Sequence, residues 1–237
     1  MLSIGIDGFR GGWVAAVIDN TDRCEFYLVS RMIHMITLLV GTPFILGDIP
    51  IGLPDTPEDR ECDRIARRLL GRPRASSVFP VPCREAIYSE SYHEACEANL
   101  RVLGKSISLQ SWLICGKIRE VDELLASHPT LRGRIRESHP ELCFRAFAGG
   151  KSMERPKRTP VGFLERLRTL SGVYPHAEDA LRNTTLRGAG LDDLLDALAL
   201  AAAAGQRLVS VPDLPRTDGR RLPMEIMVPE TISSSGG

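Results

Sequence analysis

The stretch 191–204, Leu-Asp-Asp-Leu-Leu-Asp-Ala-Leu followed by Ala-Leu-Ala-Ala-Ala-Ala, constrains this chain more than any other segment. Leu191, Leu194, Leu195 and Leu198 recur at i, i+3, i+4 and i+7 and mark the core face of a helix. Beyond Leu198 the segment is apolar all round, so the helix has to be enclosed on nearly every side. Asp196 lies one turn before that stretch, roughly opposite the leucine stripe. A carboxylate there is desolvated, which is costly without a partner. Asp192 and Asp193 precede it by four and three residues and share its face. No Lys or Arg lies within helical reach to neutralise the group, and a divalent cation would do so. Asp192 reads as a helix-start acid after Gly190. Asp196 is too far inside the helix for capping to explain it.

Upstream, the pattern is that of a sheet. Leu2, Ile4 and Ile6 alternate with Ser3, Gly5 and Asp7, a period-two strand that ends in an acid before a glycine-rich turn at 8–12. Further strands are expected over 13–18, 25–29 and 44–49, with a short helix over 32–40. The run 44–47 has buried-strand character and is followed at once by Asp48. Ligands of α/β sheets gather at the carboxyl ends of strands, which marks Asp7 and Asp48 as candidates. Residues 55–130 read as a mostly helical insertion, with helices over 57–70, 85–103 and 109–126 around a Pro-, Arg- and Ser-rich loop at 71–84. Strand pattern resumes over 137–147. A helix over 161–170 follows, then the helix already described and strands over 207–211 and 224–228. One domain over 1–230 is expected, with a disordered Ser/Gly-rich tail at 231–237.

Lys+Arg and Asp+Glu both total 30, so no global field draws in a polyanion and local clusters must do so. Arg64, Arg67, Arg68, Arg72, Arg74 and Arg84 follow one another without an intervening acid. Of these, Arg67, Arg68, Arg72, Arg74 and Arg84 are the candidate phosphate contacts. Lys151, Lys157 and Arg158 form a second, weaker patch. No apolar stretch reaches the ~20 residues that span a bilayer, so no membrane partner is expected. The first residues lack the layout of a signal peptide. The six cysteines include no CxxC pair and read as reduced thiols, which predicts a cytoplasmic protein.

Acids on a first strand, a later strand end and a final helix suit two-metal phosphodiester chemistry. Hard oxygen-only ligands select Mg²⁺ or Mn²⁺ over zinc. The arrangement resembles the ribonuclease H-like superfamily. The whole chain is similar to an uncharacterised prokaryotic family of predicted nucleases of that fold. The resemblance is carried by Ile4-Gly5-Ile6-Asp7-Gly8, Gly47-Asp48-Ile49-Pro50-Ile51-Gly52-Leu53-Pro54 and Ser76-Ser77-Val78-Phe79-Pro80-Val81-Pro82. Glu137-Ser138-His139-Pro140-Glu141 and Asp192-Asp193-Leu194-Leu195-Asp196-Ala197-Leu198-Ala199 complete it, over roughly residues 1–211.

The resemblance implies an α/β fold, a mixed sheet flanked by helices, and metal-dependent cleavage of nucleic acid, DNA or RNA. The last motif is similar to the final helix of Holliday-junction resolvases, which supplies two carboxylates three residues apart. That implies metal-ligand roles for Asp193 and Asp196, completed by Asp7 and Asp48, with Glu137 as a further acid. His139 is expected to make a structural hydrogen bond, and Glu141 either to ligate or to pair with an arginine. Two alternatives stay open. One is a non-catalytic binding module on the same fold. The other is a nucleotide phosphotransferase, suggested by Gly5-Ile6-Asp7-Gly8 ahead of Gly11-Gly12, although such enzymes duplicate the fold and this chain has length for one copy.

Overall fold

The alternation that separates Ile4 and Ile6 from Gly5 and Asp7 gives the first strand, β1 (Ser3–Phe9), two unlike faces, and the fold is layered around them. The computed structural model describes residues 2–39, 44–58 and 60–231. Strands β1, β2 (Gly12–Ile18) and β3 (Cys24–Val29) form an antiparallel meander, while β4 (Ile45–Gly47) and β5 (Ile135–Glu137) join parallel to β1, in the order β3-β2-β1-β4-β5. This mixed five-stranded sheet flanked by helices is consistent with a ribonuclease H-like arrangement. At the hairpin between β1 and β2, Gly12 adopts a φ of 146°, and a Cβ there would fall 2.2 Å from the Val29 carbonyl oxygen. The turn therefore needs glycine.

One face carries Ile4, Ile6, Trp13, Ala15 and Ile45, which pack on Cys115, Ile118 and Val121 of a long helix, α4 (Leu109–Ser127). α4 belongs to the crossover between the parallel strands β4 and β5, as do α1 (Glu61–Leu70), α2 (Arg84–Ile87) and α3 (Tyr92–Leu103). The segment read as an insertion thus supplies seven of the 20 buried residues of this core. A parallel strand pair needs a long crossover in any case. The expected helix over 85–103 is two helices, broken at 88–91, where Ser91 caps α3 through a reciprocal bond pair with Glu94.

The opposite face carries Val14, Ala16 and Ile18 against α6 (Pro160–Ser171), α7 (Ala177–Asn183) and α8 (Leu191–Ala204). α8 has the bounds read from the sequence, but Leu191, expected on its core face, is exposed. Nine of its 14 residues are buried, so it is enclosed between the sheet and α5 (Pro140–Phe147), α6 and α7 rather than laid on a surface. Closest approach is at Gly5, where a Cβ would lie 2.2 Å from the Ala197 carbonyl oxygen and from the Ala201 nitrogen. Strand and helix touch backbone to backbone there, and only glycine permits it.

The strand expected over 137–147 is a correction. Only 135–137 is strand, and Pro140–Phe147 is a helix, α5, begun by proline in its first turn and capped by His139 Nδ1, which accepts from the Glu141 N–H at 3.2 Å. Leu142, Cys143 and Phe144 are all buried, so the alternation that suggested a strand reflects a helix enclosed on most sides. The closing strands β6 (Leu208–Val211) and β7 (Ile226–Pro229) form a separate antiparallel pair, joined to the end of β5 by a Ser138–Met227 bridge. Of the expected tail, residues 232–237 lie outside the described residues, as does Val40 of the expected helix over 32–40; Met32–Leu39 is a 3-10 helix. Among the described residues, no helix is long and apolar enough to cross a membrane.

Candidate functional site

Period-two geometry decides which acids meet. Ile4 and Ile6 face α4, so Gly5 and Asp7 face α8. In β4, Ile45 faces α4 while Leu46 packs on Leu200 and Ala203 of α8, which puts Asp48 on the α8 side beyond Gly47. The Asp48 N–H donates to the Ile6 carbonyl at 2.9 Å, so Asp7 and Asp48 end neighbouring strands side by side. Asp196 descends from α8 onto the same spot, with Asp193 one turn earlier.

Asp7 and Asp196 are 7% and 3% exposed, and their electrostatics reflect it. Burial, then the charges of Asp48 and Asp196, hold the Asp7 carboxyl well above the usual carboxylate range. Asp196 is pushed up to about 6, chiefly by burial, with Lys157 opposing and Asp48 and Glu141 adding to the shift. Asp193 is raised by burial against the Gly190 N–H, which donates to its Oδ2 at 2.9 Å and ties it to the start of α8. Asp193 therefore also performs the capping that the sequence suggested for Asp192. Asp192 instead lies 3.9 Å from Arg158.

A cation absent from the helical spacing sits among these acids. Lys157 Nζ, on the loop before α6, is 2.6 Å from Asp196 Oδ2. Burial works against its charge, but Asp196, then Asp7 and Asp48, more than offset that and hold it protonated. The charge that a divalent cation was expected to neutralise at Asp196 is thus met here by a lysine 39 positions away in sequence. A second lysine, Lys117 of α4, donates to the Gly12 carbonyl and lies 4.4 Å above the Trp13 ring. Burial lowers its pKa while Glu120, Asp7 and Asp193 act to raise it.

Glu137 does not join the group. It pairs with Gly47 across the sheet, on the α4 side, and its carboxylate takes Arg60 and the Ile51 N–H at 2.7 Å. Burial first, against Arg60, raises its pKa to about 8. Parity puts it on the wrong face. The acid of that motif which does reach the site is Glu141, in the first turn of α5. Its Oε1 accepts from Arg166 Nε at 2.9 Å, and Arg166 is 1% exposed. Its Oε2 is buried and has no hydrogen-bond partner.

That orphaned oxygen bears on whether a divalent cation fits. The donor set is carboxylate throughout, the chemistry that hard cations prefer, and Glu141 Oε2 is an acceptor with no protein donor. Among the described residues the carboxylates are not drawn in to ligand spacing, and Lys157 occupies Asp196. The donor chemistry suits such an ion, while Asp196 is taken by Lys157 in this structure.

The expected phosphate-binding arginines lie elsewhere. Arg84 is 15% exposed at its side chain and is shared among Asp55, Asp122 and Asp218, which tie the crossover to the C-terminal segment. Arg67 donates to the Val78 carbonyl at 2.9 Å, and its helix packs on α5, β6 and β7. Arg68 and Arg72 are exposed and Arg74 half-buried. None of the five lines the groove that opens at the acids, whereas Arg10, Lys157 and Arg158 do. Cys83 is buried, caps α2 and has its thiol pKa raised by burial, as expected of a structural thiol.

The family described as Protein of unknown function (DUF429) matches residues 5–216, and the chain belongs to that family. The matched span contains Asp7, Asp48, Glu141, Lys157, Asp193 and Asp196. No curated protein and no solved structure matches the chain.

Proposed function

We propose that this member of the family is a divalent-metal-dependent nuclease that hydrolyses phosphodiester bonds, with Mg²⁺ or Mn²⁺ held by Asp7, Asp48, Asp193 and Asp196. One observation carries the reading: carboxylates from β1, the end of β4 and α8 converge at one sheet end, with Asp7 and Asp196 buried, Asp48 and Asp196 raising the pKa of Asp7, and Asp48 raising that of Asp196. Like charges gathered out of water destabilise a fold, and such clusters mark functional sites. A bound divalent cation supplies Lewis-acid stabilisation of charge on the phosphate and a more acidic bound water.

The chain's own residues divide the remaining work. Asp7 and Asp48 sit on rigid strand ends, and the backbone contact at Gly5 fixes α8, and with it Asp196, against them. Arg166, immobilised by the Arg155 and Gly162 carbonyls at 2.9 Å each, holds Glu141 by one oxygen and leaves the other buried without a donor. We assign the role of fifth acid, expected of Glu137, to Glu141. Lys157 keeps Asp196 paired in the metal-free protein and offers a positive charge to an incoming phosphate.

The test is incubation of the full chain with labelled single-stranded, duplex and branched DNA and RNA in Mn²⁺, with a chelator control. Cleavage that the chelator abolishes is the expected result. Mn²⁺ binding without cleavage of any of these substrates would overturn the reading in favour of a binding module.

A further inference from the structure

Beside the acids opens a groove of about 870 Å³, bounded by the tip of the β1–β2 hairpin, the loop before α6 and the starts of α6 and α8. Asp193 and Lys157 line it, so it is continuous with the carboxylate site. Its wall is apolar and aromatic: Phe9, Phe163, Leu164 and Leu191. Leu164 and Leu191 are 46% and 58% exposed, unusual for leucines at the mouth of a charged site. Its cations are Arg10, which is exposed, and Arg158, 87% exposed at its side chain, besides Lys157.

We infer that this groove binds a single-stranded segment of nucleic acid, its bases against Phe9, Phe163 and the leucines and its backbone against Arg10 and Arg158. A duplex seals its bases inside the stack, presents phosphates alone and has no use for an apolar wall. An unpaired strand uses both surfaces, because every base has a π-face and every linkage a charge. The inference deepens the nuclease reading and rests on it for the groove's purpose: a strand lying there delivers a phosphodiester to Asp193 and Lys157. Binding itself needs neither metal nor cleavage, which makes the two separable.

The experiment is fluorescence anisotropy of the full chain with a labelled strand of about 15 nucleotides, as DNA and as RNA, against the same sequence as a blunt duplex, in chelator. The expected result is single-strand binding at least about tenfold tighter than duplex binding. Arg10→Ala with Arg158→Ala, both exposed and safe for folding, should weaken single-strand binding and flatten its salt dependence by a slope of about 1.4. Phe163→Leu keeps apolar packing and removes the ring, and should weaken binding about tenfold without changing the salt slope. Equal or tighter duplex binding, or variants that bind like wild type, overturns the inference. Binding to neither form also overturns it and leaves the apolar wall to a protein partner. If single strands bind as described but nothing is cleaved in Mn²⁺, the nuclease reading fails and the groove stands. Cleavage without single-strand preference means the reverse.

Discussion

Replacing Gly5 with alanine tests how the site is held together. The added Cβ would lie 2.2 Å from the Ala197 oxygen and the Ala201 nitrogen and 2.6 Å from Leu200 Cβ. Comfortable carbon contacts begin near 3.5 Å, so β1 and α8 have to separate by roughly 1 Å or more. Two of the three opposing atoms are backbone, so no rotamer change relieves the clash. Nor can α8 retreat freely, since α5, α6 and α7 back it. Overpacking of this kind costs about 1–3 kcal/mol and occasionally more, and backbone-on-backbone contact puts Gly5→Ala at or above the top of that range. For a chain of this size, about 3 kcal/mol lowers Tm by roughly 6–12 °C. Asp7 stands two residues beyond Gly5 and Asp196 one residue before Ala197. The same displacement therefore pulls the two acids apart, and about 1 Å of misplacement costs on the order of a hundredfold in rate. Thermal melts and Mn²⁺-dependent cleavage read both effects. Gly116→Ala is the control, since its Cβ on α4 meets nothing within 4 Å, and it should be neutral or slightly stabilising. A Gly5→Ala melt within about 2 °C of wild type would refute the packing argument.

Two further outcomes follow from the charges. Lys157→Met removes the cation that competes for Asp196, so calorimetry should show Mn²⁺ binding severalfold tighter, about 1 kcal/mol; unchanged or weaker binding contradicts the role given to Lys157. Burial, chiefly, raises Asp196 to about 6 and Asp7 also lies high, so the native state holds protons that the unfolded chain has released. Metal-free stability should accordingly fall as pH rises from the ordinary aspartate value of about 3.9 to about 6. Mn²⁺ affinity should rise over the same window, because protons and metal compete for the same oxygens. Melts at stepped pH with and without Mn²⁺ check both signs, and a metal-free Tm that climbs through that window contradicts them.

What the sequence disclosed depended on whether the signal was local. The bounds of α8 were legible because its period and its unbroken apolar half belong to one helix. Asp7 and Asp48 were legible because an acid closing an apolar strand is a local anomaly. Glu137 against Glu141 needed the register of β5 against β4 and the break at Pro140, neither of which is visible when Leu142, Phe144 and Ala146 alternate like a strand. Glu137 could have been set aside by noting that it shares parity with Ile135, a core residue. Lys157 was hidden for another reason. Its pairing with Asp196 joins a loop to a helix 39 residues on, and helical spacing cannot report that. The arginine run misled because its members serve separate local ends, Arg84 holding three acids of the fold and Arg67 a carbonyl.

The most direct test of the central claim is single-turnover cleavage by wild type and Asp7→Asn, prepared identically, in Mn²⁺, with a melting curve for each. Asparagine keeps the shape and removes a charge that burial already opposes, so the variant should melt at or above the wild-type Tm. The account expects wild type to cleave and the variant to lose about a hundredfold or more in rate. A variant that is folded and cleaves at the wild-type rate, or a wild type that leaves every substrate intact, would contradict it.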